Sequence, residues 1–96
     1  MTDFVKHSKD KPRFSLIPLD TLQAVIRVLE HGAAKYGSDN WKKCKDPFEY
    51  YDACMRHIMK FVSGEKIDGG EKGSGESHLA NAICCLMIWN ELEGGE

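Results

Sequence analysis

The sequence predicts an all-α fold, a small bundle of three main helices completed by oligomerisation. Three segments carry apolar residues at helical spacing, and residues that start or stop helices bound each of them. No segment alternates apolar and polar residues as a surface strand does. We therefore predict helices over about residues 18–36, 46–63 and 76–92, within a single domain that covers residues 14–96.

The first predicted helix follows an N-terminal segment of different character. Residues 1–13 are polar and aperiodic and are predicted to form a flexible arm. The apolar residues from Phe14 to Ile17 are then predicted to pack as an extended strap that ends at Pro18. Gly37 is predicted to end the helix, because glycine readily adopts the left-handed backbone that follows a last helical turn. The apolar stripe of this helix consists of Leu22, Val25, Ile26, Leu29 and Ala33.

The second helix has a strong start signal. Asp46 is predicted as the N-cap and Pro47 as the first helical residue, with Glu49 completing a capping box. Gly64 is predicted to stop the helix. Residues 64–75 contain five glycines and are therefore predicted to form a flexible loop. The predicted buried stripe is Tyr51, Met55, Ile58 and Val62, with Cys54 and Phe61 beside it.

The third helix is apolar on every side. Between residues 79 and 89, Asn81 is the only strongly polar residue. Such a helix must be covered all round, and two other helices of one small chain can cover only part of it. We therefore expect a homodimer or homotetramer.

Composition excludes several classes of protein. The 96 residues carry a formal net charge of -2, so no basic excess favours nucleic acid or an anionic membrane. No apolar run reaches the ~18 residues of a membrane span, and the N-terminus lacks an apolar signal segment. The cysteines lack CxxC spacing and are predicted to be reduced, with Cys54, Cys84 and Cys85 as small core residues. We expect a cytoplasmic protein.

Two polar pairs flank the loop before the third helix. Glu65 and Asp68 are three residues apart, as are His78 and Asn81. Because residues at this spacing share a helix face, the two pairs together resemble a site for a hard divalent cation. The alternative is that the carboxylates are ordinary loop charges, while His78 and Asn81 satisfy the backbone at a helix start.

Other cations and aromatic residues are typical of a nucleotide polyphosphate site. Arg56 suits a phosphate oxygen, although a surface pair with Asp52 explains it equally simply. His57 is either a site residue or a satisfied core histidine. Near the end of the first helix, Lys35 could reach phosphate, while Tyr36 or Trp41 could cover a base. The helix dipole is the alternative explanation for Lys35.

Several motifs, taken in order, resemble a known family. They are KPRFSLIP at 11–18, GAAKYGSDNW at 32–41, Arg56-His57, GEKID at 64–68 and HLA at 78–80. This order is similar to that of the phage dATP/dGTP diphosphohydrolases, the MazZ-like branch of the MazG-type all-α nucleotide pyrophosphohydrolases. The resemblance implies hydrolysis of a purine deoxynucleoside triphosphate to monophosphate and pyrophosphate, with Mg or Mn, in the host cytoplasm.

The resemblance also implies roles for individual residues. Glu65, Asp68 and His57 are the predicted catalytic residues, and Glu65, Asp68, Glu76 and His78 the predicted metal ligands. The predicted substrate contacts are Lys35, Tyr36, Asn40, Trp41, Arg56 and Asn81. The broader family pattern carries more carboxylates on the third helix than this chain does, so Glu71 or Glu76 is expected to supply the missing one.

Two other interpretations stay open. The same fold could serve as a non-catalytic nucleotide-binding or helical interaction module, which the carboxylate-poor third helix favours. A structural zinc site of Cys and His is the poorer alternative, because the ligands lack the usual paired spacing.

Overall fold

The computed structural model describes residues 3–94 and confirms the all-α fold. Three α-helices follow one another: α1 (Leu19–Tyr36), α2 (Phe48–Val62) and α3 (His78–Leu92). Two 3-10 turns, Phe14–Leu16 and Asn40–Lys43, precede α1 and α2. Within residues 3–94, strand-like pairing is limited to one bridge between Ile67 and Ser77. The helices begin one or two residues later than predicted.

Local hydrogen bonds explain where the helices begin and end. The N–H of Gly37 donates to the carbonyl of Ala33 at 2.8 Å, and the φ angle of Gly37 is 97°, as its predicted role requires. Asp46 lies one residue outside the N-cap position, which Pro47 occupies, and its Oδ1 accepts from the N–H of Phe48. The hydroxyl of Ser77 caps α3 by accepting from the N–H of Ala80.

The helix α3 is the centre of the fold. On one side Val25 of α1 packs against Ala80 and Cys84, and on the other Cys54 of α2 packs against Ala82 and Cys85. Among the described residues, α1 and α2 scarcely contact each other. The predicted burial of the three cysteines is confirmed. Burial raises the pKa of the Cys84 thiol to about 11 and that of Cys85 to about 12.

The inner face of α2 differs from the predicted stripe. Tyr51, Met55 and Val62 are exposed, whereas His57, for which the sequence left a core position open, turns inward beside Cys54. The core face is therefore rotated by a fraction of a turn, because α2 packs mainly on α3 and its small residues allow the closest approach. The inward side of α2 consists of Tyr50, Ala53, Cys54, His57, Ile58 and Phe61.

One face of α3 remains uncovered. We call it the outer face; it comprises Leu79, Ile83, Leu86 and Met87, which are 37–49% exposed. Helical spacing places it opposite the side that carries Asn81 and Cys85. The chain by itself therefore does not cover α3 all round.

The segment before α1 is not the predicted strap. Phe14 and Leu16 are 81% and 68% exposed, and the backbone forms a 3-10 turn in which the N–H of Ile17 donates to the carbonyl of Phe14. This tight turn shortens the segment and points its apolar side chains away from the helices. The flexibility of residues 1–13 stays a prediction. No helix in residues 3–94 is both long and apolar enough to span a membrane.

Candidate functional site

The loop between α2 and α3 is folded around Asp68. Its N–H donates to the carbonyl of Glu76, its carbonyl accepts from Gly75, and its Oδ2 accepts from the N–H of Ser74 at 3.0 Å. Burial raises the pKa of Asp68, but the hydrogen bonds from Ser74 together with the charges of His57 and His78 outweigh this effect, so the net pKa is lowered. A Cβ at Gly73 would overlap the carbonyl oxygens of Gly69 and Asp68, so the turn requires glycine there.

A line of three side chains joins this loop to both helices. The Nε2 atom of His78 lies 2.7 Å from Oε2 of Glu65, and its Nδ1 lies 2.8 Å from Nδ1 of His57. His78 is fully buried, His57 is half-buried and Glu65 is exposed. We call these three residues the histidine relay. The structure thus brings together three residues that the sequence had singled out separately.

The hydrogen bonds of the histidine relay determine where its protons lie. A carboxylate of Glu65 can only accept, so Nε2 of His78 donates to it. In a neutral His78, Nδ1 must then accept, and Nδ1 of His57 is the donor. Nε2 of His57 is left with its lone pair free. Burial lowers the pKa of His57, as do His78, Lys60 and Arg56, and only Asp68 opposes them, so its imidazole is neutral near pH 7.

Asn81 fastens α3 to the loop. Its Nδ2 donates to Ser74 Oγ and to the carbonyl of Ser77, both at 2.9 Å, with a longer contact to the carbonyl of Glu76. Asn81 is 6% exposed. This is the backbone-satisfying role that the sequence left open for a polar residue at the helix start. Its role in substrate binding stays a prediction.

Glu76 is held by a residue that sequence reasoning missed. Arg27 of α1 donates from Nε and from a terminal nitrogen to the two oxygens of Glu76, at 2.9 and 3.0 Å. This bidentate bond lowers the pKa of Glu76. No local spacing links residues 49 positions apart, so no sequence signal could have identified Arg27. Glu71, the other predicted source of a carboxylate, lies exposed in the loop.

The four predicted metal ligands do not converge in this chain. Glu76 is paired with Arg27, and both nitrogens of His78 are engaged within the histidine relay. Across residues 3–94, no three His, Cys, Asp or Glu side chains form a group that could hold a metal ion. As they stand, these donors do not fit a divalent cation within one chain. The predicted Mg or Mn site stays a prediction.

The predicted aromatic segment borders a cavity of about 470 Å³. Tyr36, Asn40 and Trp41 all line it, at the point where α1 ends. Lys35 does not line the cavity, but its Nζ lies 5.1 Å from the ring centroid of Tyr36, which does. Arg56 is exposed on α2 and is not part of the cavity.

Residues of α2 and α3 complete this cavity. Tyr50, Cys84 and Ile88 form part of its wall; the sequence suggested only that Cys84 and Ile88 belong to a buried helix and gave Tyr50 no role. His31 also lines it, and its Nε2 donates to the carbonyl of Lys72 at 3.2 Å, so the loop meets the cavity rim. Packing alone brings these residues together.

The chain also matches known proteins. A family model described as dATP/dGTP diphosphohydrolase, N-terminal, matches residues 2–95. A protein called dATP/dGTP diphosphohydrolase from Salmonella phage PMBT28 is 33% identical over 84 residues, which are 88% of this chain and 28% of that relative. The chain thus spans little more than a quarter of the curated relative it matches. No solved structure matches it significantly. Since the family model covers almost every residue, the chain belongs to the dATP/dGTP diphosphohydrolase family, in the part described as N-terminal.

Proposed function

We propose that this chain hydrolyses a purine deoxynucleoside triphosphate to its monophosphate and pyrophosphate. Family membership and the name of the phage relative support the reaction class. The observation that carries the proposal is the free Nε2 of His57, held in one tautomer by His78 and Glu65. A neutral imidazole with a fixed lone pair is a suitable general base.

The proposed step uses this lone pair. Nε2 of His57 takes a proton from a water molecule as the water oxygen attacks the α-phosphorus. The bond between the α-phosphorus and the oxygen that bridges to the β-phosphorus breaks, and pyrophosphate leaves. The proton gained by His57 is shared through the Nδ1 contact with His78, and the carboxylate of Glu65 stabilises the resulting charge.

Two cationic side chains close to His57, the proposed general base, support a triphosphate as the substrate. Arg56 and Lys60 lie close enough to His57 to lower its pKa, so their charges act on the same region. Positive charge there would neutralise phosphate oxygens and stabilise the charge that develops on the leaving pyrophosphate. Lys35 is proposed to contribute from the end of α1. The predicted need for Mg or Mn is a separate proposal, and the step above does not depend on it.

The test is direct. Purified protein is incubated with each dNTP and NTP, with Mg, with Mn and with a chelator, and the products are separated by ion-exchange chromatography. We expect monophosphate and pyrophosphate from dATP or dGTP. His57→Gln should lower the activity by about 10²- to 10⁴-fold, whereas Lys45→Gln, an exposed change ahead of α2, should leave it unchanged. Production of diphosphate and inorganic phosphate would contradict the proposal.

The second candidate is a non-catalytic nucleotide-binding module of the same fold. The observation that favours it is the lack of a converging metal-ligand set in the described chain. Binding of dATP or dGTP without turnover, in protein that is folded and supplied with Mn, would support this candidate over hydrolysis.

We also propose that the protein is a homodimer or homotetramer, assembled through the outer face of α3. Its four apolar side chains are contiguous at helical spacing, and leaving them in water is unfavourable. Exposed Met55, Met59 and Val62 form a second apolar stripe, at helical spacing on α2. A second copy presents an equally apolar face, which makes the surface self-complementary.

A further inference from the structure

We infer that the cavity at the end of α1 is the subsite for the purine base. Its volume of about 470 Å³ lies within the range of small-molecule sites and accommodates a two-ring base. Three aromatic residues from separate segments border it: Tyr36 from α1, Trp41 from the 3-10 turn and Tyr50 from α2. Aromatic rings provide flat surfaces on which a nucleobase stacks.

The lining chemistry favours a neutral planar ligand over a phosphate group. Among the described residues that line the cavity, none is Lys or Arg. Apolar residues of α1 and α3 form much of the wall, including Val28, Leu29, Ala33 and Ile88. The thiol of Cys84 adds no charge, because burial raises its pKa to about 11. The nearest cations lie at its aromatic rim, with Nζ of Lys35 5.1 Å from the ring centroid of Tyr36 and Nζ of Lys42 5.6 Å from that of Trp41, whereas Glu30 in the lining repels a phosphate from the wall itself.

One amide gives the cavity a means of recognising the edge of a base. Asn40 carries both a donor and an acceptor in its side chain, and it lines the cavity beside Trp41. The resemblance implies that Asn40 contacts phosphate. Its place among aromatic and apolar lining residues instead favours a hydrogen-bonded pair with ring nitrogens or exocyclic groups of a purine.

The helix α3 contributes residues both to the cavity and to the histidine relay. His78 begins α3 and Cys84 borders the cavity six residues later, a helical rise of about 9 Å. Cys84 and His78 also face about a third of a turn apart, so the sugar and phosphates of a base in the cavity would have to extend around α3 towards His57. The direction of the phosphates rests on the proposed function, but base binding in the cavity does not.

The contact of His31 with Lys72 links the two regions a second time. His31 lines the cavity, and the loop that supplies the carbonyl of Lys72 also carries Glu65 and Asp68. A ligand that fills the cavity thus touches a residue bonded to the loop of the histidine relay.

Fluorescence of Trp41 tests the inference without requiring turnover. The full chain carrying Trp89→Phe retains Trp41 as its only indole. This variant is titrated with deoxyadenosine, deoxyguanosine, thymidine and pyrophosphate, while the fluorescence of Trp41 is excited at long wavelength and recorded. We expect saturable quenching by the purine deoxynucleosides, at least tenfold weaker binding of thymidine, and no response to pyrophosphate.

Two neighbouring alanines give a matched pair of variants. Ala33→Leu fills the cavity and should weaken purine deoxynucleoside binding at least tenfold, whereas Ala34→Leu on the exposed side of α1 should not. Asn40→Ala, at an exposed position, is a second variant that should fold normally and weaken binding severalfold. Circular dichroism checks that each variant is helical.

The outcomes separate this inference from the proposed function. Purine binding that Ala33→Leu and Asn40→Ala leave unchanged, or no binding at all, overturns the base subsite even if the protein hydrolyses dNTPs. Purine binding that both variants weaken, in a protein that hydrolyses nothing, supports the subsite and contradicts the hydrolase.

Discussion

His57 and His78 face each other through their Nδ1 atoms at 2.8 Å, although they are 21 residues apart in the chain. A short contact between two ring nitrogens requires that one donate and the other accept. Since His78 is fully buried and also bonded to Glu65, its position leaves His57 little freedom to rotate. The pair therefore fixes which nitrogen of His57 is available to a substrate.

Replacing His57 tests its proposed role as the base. His57→Gln should lower kcat by about 10²- to 10⁴-fold, the usual contribution of a general base. Glu65→Gln should cause a smaller loss, because the amide oxygen still accepts from His78 but no longer offsets a positive charge. Both rates are measured by pyrophosphate release. Full activity of both variants would exclude the histidine relay from catalysis.

The stability of the protein should depend on pH through His57. Burial lowers its pKa in the folded state, so below the ordinary value of 6.5 the unfolded chain binds more protons. The free energy of unfolding should therefore be highest above pH 6.5 and decline as the pH falls through the folded-state pKa. Urea denaturation between pH 5 and 8 measures this, and His57→Gln should flatten the curve. If His57→Gln leaves the slope of unfolding free energy against pH unchanged, the pH dependence arises from other groups.

Two asparagines on α3 provide a stability test. Asn81→Ala removes the two Nδ2 hydrogen bonds, but Ser74 Oγ still accepts from the N–H of Glu76 and the carbonyl of Ser77 from the backbone N–H of residue 81. The change should therefore cost about 0.5–1.5 kcal/mol of unfolding free energy per hydrogen bond lost. Asn90→Ala on the exposed side of the same helix should change stability by less than about 0.5 kcal/mol. Urea denaturation of both variants decides. Equal stabilities would show that the bonds of Asn81 are dispensable.

Charge on the outer face of α3 should prevent self-association. Leu86→Lys places a cation where the proposed partner copy packs, so the mass measured by light scattering should fall to that of a monomer. Val5→Glu, at a 71% exposed apolar residue far from α3 in sequence, is the matched control and should leave the mass unchanged. A wild-type protein that is already monomeric at high concentration would contradict the proposal.

The sequence was sufficient for the three helices, because apolar periodicity and terminating glycines act within a few residues. It could not orient α2 correctly, since Tyr51 and Met55 are as apolar as the smaller residues that the structure buries. Two adjacent polar residues, Arg56 and His57, left open which one turns inward. The close packing of Cys54 on α3 settles that choice, and it is a tertiary effect.

The sequence predicted which residues belong to the candidate site but not how they are arranged. Glu65, His57 and His78 were all singled out, yet their hydrogen bonds depend on how the loop folds back over α3. Nothing in the neighbouring sequence indicates whether Glu71 or Glu76 supplies the missing carboxylate. The structure pairs Glu76 with Arg27, a residue on another helix, and that partner is set by the arrangement of α1 beside α3.

The central position of α3 has a consequence for how the protein is made. It is the last of the three helices to leave the ribosome, yet α1 and α2 both pack on it and scarcely on each other in the part of the chain that the structure describes. Until α3 has been synthesised, α1 and α2 are therefore amphipathic segments whose apolar faces have no native partner. Cooperative folding can begin only when residues 78–92 have emerged, so a ribosome stalled before that point should carry a chain that proteases cleave readily.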